Sequence, residues 1–189
     1  SIGREANLLT LVVHGGLARA PYMTSDAFAL VVCHEIGHAI GGAPSVKPSN
    51  KFGSEGQSDY FATSECLKKY LASKDNQTYL INKQIPKTLH DRCSEKFSNM
   101  SQRNICKRSG LAILALSNLY KKGGLELETA STNKVEYTNY NDYPSPQCRV
   151  DTLLAGALDN ERPACWFNAS KTSLVETKYD PSASHREAQ

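Results

Sequence analysis

No stretch of this chain approaches the roughly 20 consecutive apolar residues that cross a bilayer. The longest, "AFALVVC" (27–33) and "LAILAL" (111–116), have the length of buried helix faces, so no transmembrane segment is expected. No two of the six cysteines form a C-x-x-C pair, which argues against a cysteine zinc knuckle or a thioredoxin-type redox motif. Charge of one sign is also scarce. The formal net charge is only +3, and Lys68-Lys69, Lys107-Arg108 and Lys121-Lys122 are scattered pairs that read as solvated helix surface. Nucleic acid and anionic membrane surfaces therefore drop out as partners. There is no internal repeat and no linker to mark a second domain. The expectation is one domain over 1–168 with a real hydrophobic core, followed by a polar tail over 169–189. The chain begins at Ser1 with no signal peptide in view, and it is expected to be a processed or shortened form, so that any targeting segment would lie outside it.

What is present is informative. Cys33, Cys66, Cys93, Cys106, Cys148 and Cys165 are an even set at wide spacing, which favours disulfides and a secreted or periplasmic, oxidising setting. Cys148 and Cys165 bracket a short helix and form the most natural pair, while the other pairings stay open.

The apolar and turn patterns predict a mainly helical α+β domain. "NLLTLVVHGGLARA" (7–20) starts as a β-rich run and breaks at Gly15-Gly16, as an edge strand or hairpin would. Thr24 or Ser25 can then cap a helix through "AFALVVCHEIGHAI", with Asp26 in its first turn and Gly41-Gly42 and Pro44 ending it. Residues 42–54 read as a loop, 55–73 as a second helix, and 74–100 as short turns and loops. A most apolar helix is expected over 103–123, and a short one over 148–158.

The chemistry is concentrated in "CHEIGHAIGG" (33–42). Residues i and i+4 of a helix share a face, so His34 and His38 can present imidazole nitrogens to one ion. Glu35 projects about 100° further round, where it can reach a metal-associated water without being a ligand. A catalytic zinc needs a third protein ligand. "SEGQSDYFAT" (54–63) offers Glu55, beyond a Gly/Pro loop that lets the chain turn back, and Asp59 on the same helix face. A carboxylate at 59 can accept the N–H on the far side of a ligating imidazole. Cys33 points off the His34/His38 face and reads as a core thiol or disulfide partner. His14 lies in the expected edge strand, and His90 and His185 sit in polar segments typical of surface.

H-E-x-x-H, a loop, then E-x-x-x-D opening a helix resembles the gluzincin zinc metallopeptidases. The resemblance implies a zincin-like fold and one Zn2+ per chain held by His34, His38 and Glu55. It also implies Glu35 as general base and Asp59 behind a ligand, His34 by preference. "DYPSPQCRVDTL" (142–153) is similar to the D-x-H-P-x-x-x-x-R segment of the gluzincin family that includes the CAAX prenyl endopeptidases and bacterial heat-shock and outer-membrane-quality peptidases. Pro144 and Arg149 match that segment. The aspartate is one residue out of step, and Tyr143 stands where the family has histidine. By this resemblance Arg149 and Tyr143 would stabilise the oxyanion, and an extended polypeptide substrate would pair along the N-terminal edge strand. The function implied is a zinc endopeptidase. Two rivals remain: a non-catalytic zinc-binding interaction or assembly module on the same fold, and a disulfide-stapled structural protein without metal.

Overall fold

The computed structural model describes residues 2–5, 8–46 and 52–171. It is a mainly helical α+β chain with one small antiparallel sheet, the class expected. The hairpin pairs β1 (Ile2–Glu5) with β2 (Leu8–Leu11), in a register from Ile2 opposite Leu11 to Glu5 opposite Leu8. The helices are α1 (Gly15–Ala18), α2 (Ser25–Ile40), α3 (Glu55–Phe61), α4 (Leu67–Ala72), α5 (Asn76–Leu80), α6 (Lys87–Lys96), α7 (Met100–Tyr120) and α8 (Pro146–Ala157). Of the polar tail expected over 169–189, only a 3-10 turn at Ala169–Lys171 lies within the described residues, and His185 lies outside them.

Local chemistry sets the helix limits. Thr24 Oγ1 accepts from the Ala27 amide at 3.1 Å and starts α2. Ser54 Oγ does the same for Gln57 at 3.3 Å and starts α3. The helix α7 begins ahead of the expected 103 because Asn99 Oδ1 accepts from Ser101 and Gln102 at 2.8 and 3.3 Å. Ser145 and Pro146 move the start of α8 forward in the same way, with proline at a first-turn position that needs no amide donor. The run expected as one helix over 55–73 is α3 and α4 joined by a π turn at Ala62–Cys66. The β-rich run expected to break at Gly15-Gly16 forms the second strand of the hairpin over Leu8–Leu11, and Gly15–Ala18 coil into a helical turn.

The helix α2 packs against α3 on one side and α7 on the other, and α8 lies across α3 and α7. Leu30, Leu67, Leu71, Leu89, Ile113, Val150 and Leu153 are buried in the core between them. Asp26 is more than a dipole partner. It is buried and takes a two-point contact from Arg108 of α7 at 2.6 and 2.9 Å. The approach of α3 to α2 requires Gly37. A Cβ there would lie 2.9 Å from Ser58 Cα and 3.0 Å from Ser58 O. The glycine inside the histidine motif therefore lets the second carboxylate-bearing helix come close.

All six cysteines are paired, as Cys33–Cys66, Cys93–Cys106 and Cys148–Cys165. The expected staple is present, and Cys33 is a disulfide partner. The bridge at Cys148 also anchors the segment that carries Trp166, which is fully buried. A Cβ on Gly56 would meet the Trp166 ring at 2.3 Å, so the start of α3 is seated directly on that indole. No described helix is long and apolar enough to cross a membrane.

Candidate metal centre

One turn apart on α2, His34 and His38 face the first residue of α3. His34 Nε2 lies 3.3 Å from Glu55 Oε2 and His38 Nε2 lies 3.4 Å from Glu55 Oε1. The imidazole rings are 4.8 Å apart, edge to face. One ligand atom from each of the three residues falls within 4.8 Å of the others, so this group can hold a metal ion.

The far sides of both rings are occupied by oxygen. His38 Nδ1 is 2.8 Å from Gly53 O, and His34 Nδ1 is 2.7 Å from Asp59 Oδ1. A carbonyl oxygen can only accept, so His38 carries its proton on Nδ1; the charge of Asp59 favours the same for His34, through a close ion-pair contact that is not an aligned hydrogen bond. In the neutral rings both Nε2 lone pairs then point at a carboxylate, an arrangement that repels unless a cation or a proton lies between. Glu55 Oε2 is itself buried and receives no well-aligned hydrogen bond from the described residues. The donor set of two imidazoles and a carboxylate suits a metal ion, with the outer partners already in place.

Arg149 of α8 closes the layer behind the ligands. Its Nε and Nη2 donate to Asp59 Oδ2 and Oδ1 at 2.7 and 2.8 Å, and Nη2 lies 3.5 Å from Glu55 Oε2. The guanidinium carbon is 4.7 Å from the Tyr120 ring centroid and 5.4 Å from that of Tyr143. Two of the donors on Arg149 are thus committed to Asp59 rather than left facing the cleft. Tyr143 stands at the rim, 70% exposed.

These contacts set the charge states. Burial opposes charge on His34, Glu55 and Asp59. For His34 that cost is outweighed by Asp59 and Glu55, which hold its pKa up at about 9. Burial would raise Glu55 and Asp59, but both are held well below the usual carboxylate range. His34, His38 and Arg149 do this for Glu55, and Arg149 and His34 for Asp59. The charge of Glu55 and partial burial raise the Tyr143 phenol, and burial raises that of Tyr120, so both stay protonated donors at neutral pH.

A pH dependence follows. Protonated His34 stabilises the metal-free fold fully below its unfolded value of 6.5, and that contribution is lost as pH rises through about 9. Metal binding has the opposite sign, because it requires the same nitrogen without its proton. Thermal melts of chelated protein are expected to lose stability between these two pH values, while the gain from added metal grows. A metal-induced gain that shrinks over that interval would contradict the assignment of His34.

The three groups floor a cleft of 510 Å³ that is also lined by Glu35, Ile2, Leu17, Val31, Phe52, Leu116, Leu119, Tyr120, Tyr143 and Arg149. The sequence-predicted site residues His34, His38, Glu35, Glu55, Tyr143 and Arg149 all border this one space, and Asp59 lies beneath it. From the hairpin the lining residue is Ile2 of β1; none of the described residues of β2 takes part. His14 is exposed at the start of α1 and His90 is exposed on α6, and neither lines the cleft. Sequence reasoning missed Gly53, whose carbonyl orients His38, and Tyr120, at the end of α7. Neither carries a local signal, since each acts through a residue distant in sequence or through the main chain.

Comparison of the chain with protein-family models, with curated proteins and with solved structures returned no match. Fold and site together define a disulfide-bonded, mainly helical α+β chain with a histidine–histidine–glutamate group able to bind a metal ion.

Proposed function

We propose that the chain is a zinc-dependent endopeptidase of the gluzincin kind. The observation that carries this reading is the convergence on one cleft of two oriented imidazoles, Glu55 and an additional carboxylate, Glu35, beside the first ligand. When bound, zinc supplies a Lewis acid that polarises the scissile carbonyl and makes water ionisable near neutral pH.

The rest is the work of the chain itself. Glu35 takes the proton of the attacking water and delivers it to the leaving amine nitrogen, which lets one carboxylate serve both halves of the reaction. Asp59 and Gly53 O keep the ligating rings in one tautomer. Tyr143 donates its phenolic O–H to the developing oxyanion, and Arg149 adds positive charge behind the ligands. The apolar wall of Val31, Leu116 and Leu119 shelters the reacting bond from water. The substrate is an extended polypeptide, lying along the hairpin edge on the side of Ile2. Three disulfides fit an oxidising compartment, and a secreted or periplasmic site of action is part of this proposal.

One observation favours the non-catalytic alternative, a zinc-binding interaction module: the residue in the family's histidine position is a rim tyrosine, stacked near Arg149. Hydrolysis of an unfolded polypeptide, followed with chelator and then with zinc restored, separates the two. Cleavage that stops on chelation and returns with zinc is expected. Cleavage indifferent to chelation contradicts the mechanism, and metal binding with no cleavage of any polypeptide favours the module.

A further inference from the structure

The path to His34 runs through Arg149, whose guanidinium also lies against an aromatic ring. Arg149 reaches Asp59 through two parallel N–H donors at 2.7 and 2.8 Å, and Asp59 reaches His34 at 2.7 Å. The same guanidinium lies 3.5 Å from Glu55 Oε2, an oxygen of the ligand group. It therefore has a nearby alternative partner, and turning toward Glu55 would both release Asp59 and compete with a metal for that oxygen. The Tyr120 ring stands 4.7 Å from the guanidinium carbon, within cation–π range. The end of α7 that carries it is pinned, since Ser117 O accepts from Lys121 at 3.0 Å and Ser117 Oγ from Leu125 at 2.9 Å. Tyr143 approaches the same guanidinium at 5.4 Å but is 70% exposed, so it offers a looser and more hydrated face.

We propose that Tyr120 is a positioning residue of the metal centre: its ring face holds the Arg149 guanidinium on Asp59 and away from Glu55, and so fixes His34 as a ligand. The role belongs to the ring and not to the hydroxyl. The inference rests on the metal-site reading and is independent of peptide hydrolysis.

The test uses Co2+ as the probe, read by its visible absorption and by titration. Wild type and Tyr120→Phe are expected to bind alike, with the same band shape. Tyr120→Met fills similar space with a flexible chain but presents no ring. It is expected to bind roughly 10-fold more weakly, in the range seen when an outer partner of a ligand is lost, and with an altered spectrum. Wild-type affinity and spectrum in Tyr120→Met overturn the proposal, as does a Tyr120→Phe chain that behaves like the methionine variant. Failure of wild type to bind Co2+ overturns the metal site itself, which is a different result from equal binding by all three. A readout without substitution is the Arg149 Nε–H in the nuclear magnetic resonance spectrum of wild type. Slow exchange with solvent is expected, and exchange as fast as that of an exposed arginine contradicts the clamp.

Discussion

On the proposed peptidase mechanism, a Glu35→Gln chain is expected to bind metal and fold as wild type does and to lose turnover by about 10² to 10⁴-fold, the usual weight of a general acid–base group. The substitution is nearly isosteric but cannot accept the water's proton. Glu35 borders the cleft without belonging to the His34, His38 and Glu55 group, so metal affinity should change little. The loss should fall on kcat, because the residue acts on the reacting water and not on the bound peptide. A variant that hydrolyses polypeptide at the wild-type rate would remove Glu35 from the mechanism. One that loses metal along with activity would make it part of the metal site instead.

The second large effect is expected at Glu55. This residue is the only carboxylate whose two oxygens face both His34 Nε2 and His38 Nε2 among the described residues. Glu55→Ala removes one ligand of three and leaves only the two imidazoles, and it also takes away a negative charge beside Arg149. The loss of metal affinity should exceed the roughly 10- to 100-fold typical of removing an outer-shell partner. The fold should survive the change. The start of α3 is held independently by the Ser54 cap and by the seating of Gly56 on Trp166. A chelated wild-type chain is the proper reference, because the charge effect on Arg149 is then seen apart from the metal effect.

Much of this arrangement could be read from the sequence because it is local. Thr24 as a cap and the four-residue spacing of His34 and His38 are helix periodicity, and Glu55 and Asp59 follow the same rule on α3. The Cys148–Cys165 bridge was legible because the two cysteines bracket one short helix. What was not legible depends on the tertiary structure. Nothing near Tyr120 in sequence says that it faces Arg149, since that meeting is made where the end of α7 passes α8. Gly53 contributes a carbonyl, which residue identity does not advertise. The partner of Arg149 was hidden for a similar reason. The motif resemblance assigns it to an oxyanion, whereas the helix packing gives two of its donors to Asp59. The hairpin strand that borders the cleft is β1, carried by residues ahead of the apolar run that the pattern singles out.

Native mass spectrometry on freshly purified wild type beside Glu55→Ala reads the metal group itself. One zinc ion on the wild-type chain, absent or sharply depleted in the variant, is the result predicted by the His34, His38 and Glu55 group. Wild type that carries no metal even after zinc is offered, or a variant that holds zinc as firmly as wild type, would contradict it.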